Sequence, residues 1–226
     1  ASVTNIMKNK IYDLQGNNIS STVNGILITA GVTVNIYNNL IGNLFAPNGS
    51  AGTNDVIRGI SLTSFTPASN INLYYNTIYI NANSTGSNFA TSCVYHTASF
   101  TSSTSRLDMR NNILHNISVP IGSGFDICFR RSGTSLANYS FSSNNNLFFS
   151  ASTPPGPTKL IYYDGTNADE FLDVFKSRVS PREEESVTET PRYANTLGTA
   201  PDFLHFSLWE ATQSESGAQN IPGYTD

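Results

Sequence analysis

The residues of this 226-residue chain best placed to do chemistry are Arg106, Asp108 and Arg110, in the run Arg106-Leu-Asp-Met-Arg110. If the run is a strand, alternation puts these three side chains on one face, opposite Leu107 and Met109. Two guanidiniums beside a carboxylate could grip an anionic sugar, because arginine presents a planar fork to carboxylates. The same pattern describes a solvent-exposed, salt-bridged strand face, which is common and contributes little. Tyr37 and Tyr75 fall in a row with Lys8, Arg110 and Asn144 and offer rings for sugar stacking. Tyr37, Tyr75, Arg106, Asp108 and Arg110 are therefore the candidate ligand-binding residues.

Other chemistry is sparse. Residues 1–165 hold only Asp13, Asp55, Asp108, Asp126 and Asp164 as acids, unclustered and without a single Glu. A hard cation needs several oxygen ligands, and glycoside hydrolysis needs two carboxylates facing each other. His96, His115 and His205 share no motif, and no H-E-x-x-H, G-x-S-x-G or phosphate-cradling loop occurs. No catalytic residue, metal or cofactor is assigned on this basis. A net charge of −4 argues against a nucleic-acid partner. No apolar run approaches the ~18 residues of a membrane span.

The elements that must position these residues repeat. The word Asn, polar residue, Ile or Leu recurs at Asn9, Asn38, Asn76, Asn111 and Asn145, at intervals of 29, 38, 35 and 34 residues. Each word follows a short alternating segment such as Val34-Asn-Ile36 or Ile71-Asn-Leu73. One such unit cannot bury its own apolar side, whereas parallel stacking pairs every strand with its copies about 4.8 Å above and below. An asparagine at each bend would then form a ladder, donating to and accepting from its neighbours. The expectation is an all-β, right-handed parallel β-helix of about five coils over residues 1–165. Apolar residues on both faces of the strand after the bend call for a cover. Loops 46–56, 82–90 or 150–158, the C-terminal segment or a partner could supply it.

Charge marks a second region. Residues 1–165 carry 13 charged side chains and residues 166–226 carry 15. The later stretch reads as a cap within the same domain, with one short helix at about 168–180. Phe171, Val174, Phe175 and Val179 mark its apolar face, Asn167 its cap, and Glu183–Glu185 a solvated loop. Cys93 and Cys128 each lie 17 residues after their coil's repeated Asn, as either a disulfide or stacked thiols.

Asn38-Asn-Leu-Ile-Gly-Asn43 and Asn111-Asn-Ile-Leu-His-Asn116 resemble the coil signature of pectin-lyase-like parallel β-helices. Ser186-Val-Thr-Glu-Thr-Pro191, Asp202-Phe-Leu-His205 and Gly217–Asp226 resemble the closing segment of β-helix regions in large secreted or surface proteins of Bacteroidota-type bacteria. The resemblance implies a secreted or cell-surface setting and a parent chain whose remaining domains are partners. That superfamily includes lyases, hydrolases, adhesins and stalks, so it implies fold more than activity. The expected function is a non-catalytic spacer or adhesive module, with a glycan or surface polymer as its ligand. The alternative is a lyase or hydrolase acting on an acidic polysaccharide.

Overall fold

A computed structural model describes residues 2–52, 54–150, 158–207, 212–213 and 217–224. The chain winds into a parallel β-solenoid of about four turns. The first turn contains β1 (Val3–Met7), β2 (Lys10–Ile11), β3 (Leu14–Gln15) and β4 (Val23–Ile28). The second contains β5 (Thr33–Tyr37), β6 (Leu40–Ile41), β7 (Leu44–Phe45) and β8 (Ile57–Leu62). The third contains β9 (Asn70–Tyr74), β10 (Thr77–Ile80) and β11 (Thr91–His96). The fourth contains β12 (Arg106–Arg110), β13 (Ile113–Asn116) and β14 (Asp126–Arg131). β15 (Leu147–Ser150) and β16 (Lys159–Tyr163) begin another turn. That turn is not completed, because the chain leaves into β17 (Ala168–Asp169) and the helix α1 (Leu172–Val179).

Corresponding strands stack in register. The first sheet runs β1-β5-β9-β12, the second β2-β6-β10-β13-β15, and the third β4-β8-β11-β14-β16 with β17 antiparallel at its edge. β3 and β7 pair separately. Period-two alternation sends one set of side chains inward as columns. Val34, Ile71 and Leu107 form one, and Ile41, Ile78, Leu114 and Phe148 another, all buried.

Glycine appears where columns crowd. A Cβ on Gly59 would lie 2.4 Å from Ile78 Cγ2, and one on Gly25 2.6 Å from Ile41 Cγ2. Cys93 and Cys128 stand opposite each other between the pairs Ser92–Ile127 and Val94–Phe129. Both are buried free thiols, and burial pushes both well above the ordinary thiol range.

Each turn bends through a residue of positive φ: Lys8 (55°), Asn38 (54°), Tyr75 (54°), Asn111 (58°) and Asn145 (58°). The amide ladder is the next residue on, namely Asn9, Asn39, Asn76, Asn112 and Asn146. Asn38, Asn111 and Asn145 are therefore not rungs of the ladder. They occupy the left-handed bend, a conformation asparagine adopts more readily than most residues.

The cap also differs in detail. Residues 168–169 pair with β16, and the helix begins at Leu172. Asn167 does not cap it, because its side chain bonds Asp164 at 2.8 Å. The buried face is Leu172, Phe175 and Val179, while Phe171 and Val174 are exposed. Phe175 plugs the open end of the core, stacked on Tyr162 (4.9 Å, 19°) and edge-on to Phe148 (5.4 Å).

The segment from Tyr193 to Phe206 covers the outward face of the second sheet. Phe203 and Leu204 pack with Tyr79 against Tyr12, Leu40, Ile117 and Tyr193. The loop at 150–158 falls largely outside the described residues. No helix among the described residues is long and apolar enough to cross a membrane.

Candidate ligand-binding face

The outward face of the first sheet presents three columns. Thr33, Asn70 and Arg106 form one. Asn5, Asn35, Asn72 and Asp108 form the second, and Met7, Tyr37, Tyr74 and Arg110 the third. Leu107 and Met109 point into the core, as alternation requires. Tyr75 is not in the column of Tyr37. It sits one residue further on, at the left-handed bend, and Tyr74 occupies the strand position.

Asp108 is held from two sides. Arg110 donates through Nε (2.9 Å) and Nη2 (2.5 Å), and the Tyr74 hydroxyl donates at 2.9 Å. This bond raises the Arg110 pKa, and burial beside Asp108 raises that of Tyr74. Arg106 is separate from this pair. It is exposed, its Nη2 donates to Ser140 Oγ at 2.8 Å, and no described carboxylate forms an ion pair with it. It borders a shallow cleft of about 420 Å³ with Asn70, Ser102, Ser103, Ser140 and Phe141. Neither Phe141 nor these hydroxyls and amide were anticipated from sequence. They come from loops whose stacking only the fold defines.

The tyrosines lie under the chain's own C-terminal strap. Tyr224 wedges edge-on against Tyr37 (5.0 Å) and Tyr74 (4.8 Å), and its hydroxyl donates to Asn35 Oδ1 at 3.0 Å. The Tyr75 hydroxyl donates to Gln219 O (2.7 Å) and accepts from Ile221 N (3.1 Å). Asn111 exchanges two hydrogen bonds with the backbone of Gln219, and Asn145 donates to Gly217 O. Alternate residues of an extended strap are thus held by successive bends. Between strap and sheet a cavity of about 570 Å³ remains, floored by Leu40, Ile113 and Leu147 and bordered by Phe206 and His205.

Several other ionisable groups are spent inside the fold. Asp55 pairs with Arg58 (3.1 Å) and Arg130 (2.5 Å). Asp126 pairs with Lys159 at 3.3 Å, and burial pushes it up to about 7. His96 bonds Ser105 O and Arg131, and burial beside Arg131 holds it far below the ordinary histidine value. Burial among Tyr79, Phe149 and Tyr193 lowers His115 to about 4. Among the described residues, no three His, Cys, Asp or Glu side chains group as a metal site.

Of the expected solvated loop, Glu184 and Glu185 are exposed but Glu183 is not. It is fully buried and ends the amide ladder. Asn9 Nδ2 donates to Asn39 Oδ1 (2.9 Å), Asn39 to Asn76 (2.9 Å), Asn76 to Asn112 (3.0 Å) and Asn112 to Asn146 (3.0 Å). Asn146 then donates to Glu183 Oε2 at 2.9 Å, and Tyr139 and Ser186 donate to the same carboxyl. Burial raises its pKa, opposed by these donors. Its signal was the spacing: 37 residues separate Asn146 from Glu183, as they do Asn39 from Asn76. The chain matches no protein-family model, no curated protein and no solved structure.

Proposed function

We propose that this solenoid is a non-catalytic spacer and adhesive module of a larger secreted or cell-surface protein, and that its first sheet contacts an anionic glycan or surface polymer. The resemblance of its repeats to pectin-lyase-like coils, and of its end to Bacteroidota-type surface proteins, is part of this reading. One observation carries it: Arg106 stands exposed beside a ring and several hydroxyls, while Asp55, Asp108 and Asp126 are committed to structural partners. A guanidinium without a carboxylate partner suits an acidic sugar, and Phe141 supplies an apolar surface beside it. A stack of strands bonded on both sides supports a stiff spacer, since each rung is held by its neighbours.

The test is binding to a panel of neutral and uronate-containing oligosaccharides. The expected result is binding of acidic members, weakened tenfold or more in Arg106→Ala. Binding unaffected by that change would refute the site. Cleavage of a uronate polymer, seen as unsaturated-product absorbance and lost in Asp108→Ala or Arg110→Ala, would instead make this a lyase.

A further inference from the structure

We propose that the N-terminal end of the solenoid is a docking surface for one further parallel β-coil of the longer polypeptide; this rests on the module reading above. Among the described residues, β1, β2, β3 and β4 each have a neighbour on one side only. The core is open there. Ile6 and Ile11 are partly buried and Leu14 is 38% exposed, although their register copies Ile36, Ile41 and Leu44 are fully covered. Ile19 (62%) is a further exposed apolar residue on the same turn. The opposite end is closed by Phe175 and by Glu183. An edge left this apolar and flat is a template for strand addition.

Ladder polarity selects the occupant. Along the ladder each carboxamide donates to the rung on its C-terminal side, and from Asn39 onward each accepts from the rung on its N-terminal side, while its second proton turns to backbone carbonyls such as Ile6 O and Ile36 O. No described donor reaches Asn9 Oδ1, so the end of the ladder presents an acceptor. A second copy meeting this face about a two-fold axis would set acceptor against acceptor. A second copy stacked head to tail would meet the plugged end. A preceding parallel coil fits, with a carboxamide at its bend and apolar side chains pointing inward over Ile6, Ile11 and Leu14.

The experiment adds such a coil by placing a duplicate of residues 32–68 directly before Ser2, in phase with β1 because residue 69 aligns with residue 2. The expected result is a single unfolding transition, with backbone exchange in β1, β2 and β4 slowed at least tenfold. Changing the ladder asparagine of the added coil, Asn39→Leu, should reverse much of that protection. An added coil that proteases trim away, with exchange in β1–β4 unchanged, overturns the proposal. Should the extended chain not fold, the unextended chain still decides. Apolar dye binding should fall by half or more in Leu14→Asp combined with Ile19→Asp, and the chain should be monomeric. Unchanged dye binding, or a dimer that protects β1–β4, overturns the proposal. Polymer binding by the Arg106 face is read on the same samples, so a failure of the functional reading shows separately.

Discussion

Polar residues in this protein act chiefly as backbone partners. Each ladder asparagine from Asn39 onward accepts from the backbone N–H of the previous rung, as Asn76 does from Asn39, and donates to a carbonyl such as Ile36 O. An orphaned buried group would cost roughly 1–3 kcal/mol, so one amide per turn settles the polarity of every bend. His115 is the opposite case, since both its ring nitrogens are buried without partners. An unfolded histidine takes up its proton near pH 6.5, whereas His115 in the fold does so only at about pH 4. Between pH 7 and 5 the unfolded chain therefore binds more protons than the folded one at this residue, and acidification weakens the fold through His115. Asp126, raised to about 7, acts in the opposite direction over the same window. Relative to the parent, His115→Phe should shift the stability change from pH 7 to pH 5 by about 2 kcal/mol in favour of the fold, measured by urea denaturation at both values. A variant with the parent's pH dependence would show that His115 is already protonated in the fold.

At the scale of elements, parallel coils and a terminal helix were legible because alternation, bend spacing and the charge break each report on one element. Register was not, for a local reason. Asn38-Asn39, Asn111-Asn112 and Asn145-Asn146 are doublets, and sequence alone does not say which member bends and which bonds. The singlets decide: Lys8 and Tyr75 precede Asn9 and Asn76, so the second residue is the rung. That one-residue shift aligns Ile41, Leu114 and Phe148 with Ile78 in one inward column and separates Tyr37 from Tyr75. The Arg106-Asp108-Arg110 face was readable because it lies within one strand, whereas the covering strap depends on contacts more than a hundred residues apart, such as Tyr75 with Gln219. The helix is short and contributes through its buried side. Phe175→Ala should cost about 3–5 kcal/mol by emptying the plug between Tyr162 and Phe148. A loss under 1 kcal/mol in equilibrium unfolding would mean that the core closes without it.

The described solenoid has unlike ends and unlike sides. One end is plugged and the other presents open strand edges, and one side is strapped while another carries Arg106 and its cleft. All of this follows if the turns lie directly above one another, so that equivalent residues form columns. Side-chain hydrogen exchange by NMR tests that claim most directly. The carboxamide protons of Asn39, Asn76, Asn112 and Asn146 should persist in heavy water for hours, with cross-peaks between successive rungs, while those of exposed Asn17 and Asn48 vanish within the first spectrum. Ladder protons that exchange as fast as the exposed ones, with no rung-to-rung cross-peaks, would contradict the stacked solenoid and the functional reading built on it.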